Sequence, residues 1–270
     1  MSDNHQRYRS IRSALSQIFS NGLEGCGAKQ LKLFAALISG IVGGKSTNYP
    51  KIASKVPDQT KAESRVKRIS RFINAADPNQ EIYLMPFAEQ LLTNLSNFSL
   101  VLILDGSDVG RHCVALMLSV QFRGGALPIG WLVISGKQGH FSQERPVQLV
   151  AAVKELVPPG ADVIFLGEGE FETFFSDQKS RAFNLHKSHL SDPSRLGKLM
   201  IAACQAYLWI AQLGLWPFGQ KLNTIVHRTD RCDLSPFQLG FRVLEYLLDF
   251  NLDIPVSFTD FSHAYPDFVR

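Results

Sequence analysis

The sequence predicts a mixed α/β fold in which a β-β-β-α-β core lies between helical segments at both ends. Helical spacing of apolar residues dominates residues 10–97 and returns in 195–250. Between them, three apolar runs follow one another at hairpin distances, and a helix then leads to a fourth run. The expected division is a helical region, an α/β core and a C-terminal helical tail, at residues 1–98, 99–215 and 216–270.

The N-terminal region carries a concentration of positive charge in KAESRVKRISR, residues 61–71. Small or apolar residues recur at helical spacing and predict one buried face, made of Ala62, Val66, Ile69 and Phe72/Ile73. The opposite face carries the basic side chains Lys61, Arg65, Lys67, Arg68 and Arg71. Such a face is either an ordinary solvated surface or a surface that binds phosphates.

The core is predicted from four apolar runs and one helix. They are SLVLILDGSDVG (99–110), HCVALMLSVQF (112–122), ALPIGWLVIS (126–135), a helix at 142–157, and VIFLG (163–167). The first and fourth runs are continuous, which is typical of strands buried on both faces. If these two strands are parallel neighbours, Asp105 and Glu168, which follow their apolar segments, emerge at the same edge of the sheet.

Acidic residues crowd the stretch FLGEGEFETFFSDQKSRAF, residues 165–183. A helix is predicted here, and Glu172 and Lys179 share one face of it because seven residues make about two turns. Together with Asp105 and Glu168, Glu172 provides three carboxylates for a pair of divalent metal ions. The alternative is that these are ordinary acids at strand ends beside a solvated helix face.

Segment 196–216 is apolar and close to the length that spans a bilayer. Lys198 and Gln205 lie within it, so a buried core helix is favoured and no membrane contact is expected.

The four cysteines have no paired spacing, and the N-terminus has no apolar signal region, which indicates a cytoplasmic protein. The net charge of +4 is compatible with a polyanionic partner. His186, Lys187 and His189 in NLHKSHL either line a DNA groove or merely follow a helix.

Three stretches of the sequence resemble the DDE transposases of bacterial insertion sequences, in their IS-four-like branch. They are LILDGSDVGRHCVALMLSVQFRGGALPIGWLV, FLGEGEF and ETFFSDQKSRAFNLHKSHLSDPSRL. The resemblance covers nearly the whole chain. It implies an RNase H-like catalytic core, two Mg²⁺ (or Mn²⁺) ions and association with the nucleoid. The implied partner is double-stranded DNA, as transposon ends and target, and a homodimer with a second copy of the chain is left open. Asp105 corresponds to the first catalytic aspartate, Glu172 to the catalytic glutamate, and Lys179 to the signature lysine that contacts DNA.

The sequence departs from this family at three points. Glu168 stands where relatives have the second catalytic aspartate, and their long β-rich insertion before the glutamate helix is missing. The tyrosine and arginine of the family signature are replaced by Phe165 and Glu168. The expectation is therefore a transposase whose DNA cleavage and strand transfer are impaired. The alternatives are an inactive DNA-binding remnant that inhibits full-length copies, or the product of a decayed element.

Overall fold

The computed structural model describes residues 1–19, 26–75, 80–122, 125–136, 141–166, 183–216, 223–226 and 234–255. The N-terminal helices are α1 (Asp3–Ile18), α2 (Cys26–Gly44), α3 (Tyr49–Ser54), α4 (Ala62–Asn74), α5 (Gln80–Tyr83) and α6 (Met85–Leu95). The core elements are β1 (Leu100–Gly110), β2 (Cys113–Phe122), β3 (Gly125–Ser135), α7 (Glu144–Lys154) and β4 (Val163–Leu166). A short 3₁₀ helix (Leu185–Ser188) then precedes α8 (Pro193–Leu215), α9 (Asn223–Val226) and α10 (Pro236–Asp249). The predicted mixed α/β class is confirmed.

The four strands form one mixed sheet in the order β3-β2-β1-β4. β1 and β3 each pair with β2 in the antiparallel sense, whereas β1 and β4 are parallel. The parallel ladder runs from Leu100 opposite Val163 to Ile103 opposite Leu166. A parallel neighbour needs a crossover, and α7 supplies it. The predicted β-β-β-α-β succession and the predicted parallel pairing are both confirmed.

Helices cover the two faces of the sheet. On one face, a Cβ added to Gly130 of β3 would lie 3.0 Å from Val153 Cγ2 of α7, so glycine lets that helix approach closely. On the other face, Gly197 of α8 lies against Val133 of β3. Because successive residues of a strand point to opposite faces, α7 and α8 lie on opposite sides of the sheet.

Helix α8 is the predicted core helix. It is long and apolar enough to cross a membrane by length and composition, but 89% of its most apolar window is buried inside the molecule. Its polar side chains find partners there: Gln205 donates to the carbonyl oxygen of Tyr83, and Lys198 donates to that of Ala75. The burial is that of a core helix in a soluble protein.

The two edges of the sheet differ. At β3, the Gln80 side chain donates to the Trp131 carbonyl oxygen (2.8 Å) and accepts from the Trp131 N–H (3.4 Å), so one amide takes the place of a neighbouring strand. At β4, Val163, Ile164 and Phe165 are 39%, 46% and 46% exposed. The prediction that β4 is buried on both faces is wrong, because α7 packs over β3 and β2 instead.

We expect Gly240→Ala to destabilise the protein by about 2 kcal/mol or more, because the added methyl group has no room. A Cβ at Gly240 of α10 would lie 1.8 Å from the carbonyl oxygen of Ile210 in α8. Gly197→Ala is the control, since its Cβ would meet Val133 Cγ2 at an ordinary 3.7 Å and alanine favours the helix. Urea unfolding measures both variants, and equal stabilities would contradict this account of the helix contact.

Candidate functional site

Asp105, the predicted first metal ligand, lies within β1 and is half-buried. It sits opposite Met117 of β2, two residues beyond the last described pair of the parallel ladder, Ile103 and Leu166. The sequence suggested that the strand ends at Asp105, but β1 continues in antiparallel pairing to Gly110. The strand is longer because β2 extends past β4 and continues to supply hydrogen-bond partners.

The register fixes the face of the sheet on which Asp105 lies. Residues directly opposite one another share a face, so Asp105, Met117 and Trp131 lie on the side of α8. The neighbouring Gly106 points the other way, where a Cβ would come within 3.0 Å of the Phe141 ring. The carboxylate of Asp105 and this aromatic ring are therefore on opposite faces.

The other predicted active-site residues, Glu168, Glu172 and Lys179, lie outside the described residues. Across the part of the chain that is described, no group of three or more His, Cys, Asp or Glu side chains is arranged to hold a metal ion. Two of the three predicted ligands are not in that part, so the metal site stays a prediction. Its described component is Asp105 on β1, beside the strand whose last described residue, Leu166, precedes Glu168 by two positions.

The five basic residues of the α4 region fall into two groups. Lys61, Lys67 and Arg71 are exposed, and Lys67 and Arg71 lie one turn apart on the same side of the helix. Arg65 and Arg68 are half-buried. The opposite side of α4 is buried through Ile69, Phe72 and Ile73, as the helical spacing predicted. The prediction is wrong at Ala62, which is exposed at the start of the helix, and Val66 is only half-buried.

Arg65 and Arg68 hold the turn between α3 and α4. Arg65 donates to the carbonyl oxygens of Val56 and Asp58, each at 3.2 Å, and Arg68 forms an ion pair with the Asp58 carboxylate. Thr60 donates to the same carboxylate from its N–H (2.9 Å) and its hydroxyl (2.5 Å). Sequence reasoning treated all five basic residues alike because a charge pattern does not show which cations have partners within the chain.

The pKa of the Asp58 carboxyl reflects this network. Partial burial raises it, but the hydrogen bonds from Thr60 and the bond and charge of Arg68 together lower it by more, so the net shift is downward. A carboxylate with a depressed pKa stabilises the folded state above its unfolded pKa, and that contribution is lost as pH falls through the folded pKa.

Asp58→Asn should therefore cost about 1 kcal/mol of stability at neutral pH, because a charged acceptor with several donors becomes neutral. The difference between wild type and variant should shrink as pH falls from about 4, where the carboxyl of the unfolded chain gains a proton, through the lower pKa of the folded protein. Urea unfolding across this pH range measures it. The exposed Asp108 provides the control, Asp108→Asn, and a gap that does not change with pH would contradict the assignment.

A second group of basic and imidazole side chains lies where the β1–β2 hairpin meets the 3₁₀ helix. The turn residues Arg111 and His112 are exposed, and the Arg111 N–H donates to the Leu190 carbonyl oxygen at 3.1 Å. Lys187 and His189 are exposed beside them. Sequence reasoning considered the latter pair but missed Arg111 and His112. The sequence does place Arg111 and His112 in a two-residue turn between two apolar strands, and this position could have identified them.

Tyr49 of α3 and Arg195 of α8 are neighbours close to these surfaces. Burial raises the pKa of the Tyr49 phenol by more than the adjacent Arg195 guanidinium lowers it. The side chain of Tyr49 therefore stays a neutral phenol. This contact joins the start of α8 to the start of α3.

Comparison with protein-family models, curated proteins and solved structures finds no match.

Proposed function

We propose that this chain is a DNA-binding protein of the DDE transposase type, with an RNase H-like core and impaired cleavage and strand transfer. The observation that carries the proposal is the parallel pairing of β1 with β4 in a β3-β2-β1-β4 sheet. This pairing sets the strand of Asp105 beside the strand that leads to Glu168. Active sites of open α/β sheets gather at the carboxyl ends of parallel neighbours.

The residues proposed to hold two Mg²⁺ (or Mn²⁺) ions are Asp105, Glu168 and Glu172. Carboxylate oxygens are the hard ligands that these ions prefer. When bound, the ions activate the attacking oxygen and stabilise charge at the phosphodiester being cut. Asp105 lies on a strand that is paired on both sides near its start. Glu168 has a longer side chain than the aspartate of the family, which changes the reach of the second ligand. Lys179 is proposed to contact a DNA phosphate.

DNA binding is proposed to use the exposed face of α4, with Lys61, Lys67 and Arg71 contacting backbone phosphates. Their cationic groups are exposed, whereas Arg65 and Arg68 have partners in the α3–α4 turn. The two arginines would act as positioning residues that fix α4 relative to α3. The cellular location that goes with this function is the nucleoid, in the cytoplasm.

Lys61→Ala/Lys67→Ala/Arg71→Ala should weaken binding of double-stranded DNA about tenfold or more near physiological salt, because three phosphate contacts are removed. The slope of log affinity against log salt should become shallower by about 2.7. Fluorescence anisotropy with a labelled duplex measures both quantities.

The matched control removes the same number of positive charges elsewhere. Arg9, Arg12 and Lys154 are exposed on α1 and α7, and their replacement by alanine lowers the net charge equally. If both triple variants lose the same affinity, binding depends on net charge alone and the α4 interface is wrong.

Asp105→Asn should abolish the heat of Mn²⁺ binding, since it removes a charged ligand with almost no change in shape. Asp108→Asn is the control, because Asp108 lies on the same strand but points to the opposite face. Isothermal titration calorimetry on the three proteins measures this. Binding that survives in Asp105→Asn, or is absent from all three, would remove the metal site from the proposal.

A second candidate function is that of a DNA-binding remnant without catalysis, which would inhibit full-length copies or form mixed dimers with them. The exposed apolar side chains of β4 favour it, because within the described residues β4 is an edge strand, and an uncovered apolar edge is typical of a sheet that has lost a neighbour. DNA binding without Mn²⁺ binding would select this candidate. Loss of both would leave only the product of a decayed element.

A further inference from the structure

The tip of the β1–β2 hairpin and the 3₁₀ segment form one surface, here called the hairpin-tip surface and defined by Arg111, His112, Lys187 and His189. All four side chains are exposed. The two segments are joined by the bond from the Arg111 N–H to the Leu190 carbonyl oxygen, and by one from the Cys113 thiol to the Ser191 carbonyl oxygen. The four ionisable side chains are therefore held on a backbone of fixed geometry.

Both histidines of this surface have a left-handed backbone, with φ of 56° at His112 and 59° at His189. That conformation costs an L-residue about 1 kcal/mol or more, whereas glycine adopts it freely. The chain nevertheless places an imidazole at both positions. Residues held in sparsely populated conformations concentrate at functional sites.

The charges around the hairpin-tip surface change strongly with pH. The permanently charged cations are Arg111, Lys187 and the half-buried Arg195, and the nearby acids are Asp108 of β1 and Asp192 before α8. His186 adds a third imidazole. The thiol of Cys113 contributes no charge, since burial and the nearby Asp192 both raise its pKa. The group therefore carries about one net positive charge with neutral imidazoles, and about four when all three are protonated.

The start of the 3₁₀ segment is tied to the elements that carry α4. Thr47, just before α3, donates its N–H to the Phe183 carbonyl oxygen (2.8 Å) and its hydroxyl to that of Asn184 (3.0 Å). Helix α3 in turn packs against α4. The start of the 3₁₀ segment and the basic helix therefore belong to one packed unit.

We propose that the hairpin-tip surface is a second contact for the phosphates of double-stranded DNA, and that it engages as His112 and His189 gain protons. The inference rests on the DNA binding proposed above. Histidine side chains take up protons between about pH 8 and pH 5, and each new phosphate contact steepens the salt dependence by about 0.9. Residues 61–74 contain no histidine, so the α4 interface contributes equally across this range.

The experiment measures DNA affinity as a function of salt at about pH 8 and about pH 5.5 by anisotropy, with a short labelled duplex of mixed sequence. For wild type, the salt slope should be steeper by about 1.8 at the lower pH, and affinity near physiological salt should rise about tenfold. His112→Asn/His189→Asn should show the same slope at both pH values. Asparagine tolerates the left-handed backbone, so the fold is retained.

His5→Asn is the control, because His5 is an exposed histidine on α1 and should keep the wild-type pH dependence. Thermal unfolding of all variants at both pH values verifies that they are folded. A pH dependence that persists in the double variant overturns the inference. Wild-type binding at pH 8 with no gain at lower pH also overturns it, while leaving DNA binding through α4 intact. Absence of binding at both pH values overturns the proposed function and, with it, this inference.

Discussion

Helix α8 lies at the centre of the molecule, and the positions of most other elements follow from their contacts with it. Its residues from Leu199 to Leu215 are buried on every side. A helix that is apolar all round must be covered all round. The sheet covers it through β3, and α2, α4 and α10 cover the rest. The closest approach is to α10, where Gly214 and Gly240 let the two backbones meet with no room for a methyl group.

The same helix positions both candidate DNA surfaces. Near its start, Leu196 packs on Gly110, so the β1–β2 hairpin tip rests against the beginning of α8. Two residues later, Lys198 donates to the Ala75 carbonyl oxygen immediately after α4 and holds the end of that helix. Farther on, Gln205 binds the backbone of Tyr83 and anchors α5, whose Gln80 covers the β3 edge. The elements that carry both candidate surfaces are therefore held in place by their contacts with α8.

The sequence was most informative where periodicity alone determines structure. Alternation and apolar runs predicted the four strands and their parallel pair, and the buried character of α8 followed from its composition. Three features depend on tertiary neighbours that periodicity does not reveal. VIFL looks like a buried strand but forms an edge, Arg65 and Arg68 look like exposed cations but hold a turn, and the left-handed backbone of His112 has no local signal such as glycine. For the candidate metal site, sequence reasoning proposed three carboxylates, and the structure adds only the strand and face of Asp105.

The contrast between the two sheet edges affects the two proposed activities, DNA binding and metal-dependent cleavage, differently. Edge strands need a partner or a cover, and β3 has one in the Gln80 amide. Within the described residues, β4 pairs only with β1 and leaves three large apolar side chains exposed.

Metal ligands must be held to within about 0.5 Å, which demands a firmly packed support. Lysine and arginine side chains are long and flexible, so their contacts with phosphates tolerate small displacements. The α4 face has its support from a buried side and a hydrogen-bonded turn, whereas Glu168 follows the least covered strand of the sheet. Of the two proposed activities, DNA binding is therefore the one whose residues have the firmer support in this architecture, and metal-dependent cleavage is the one more sensitive to displacement.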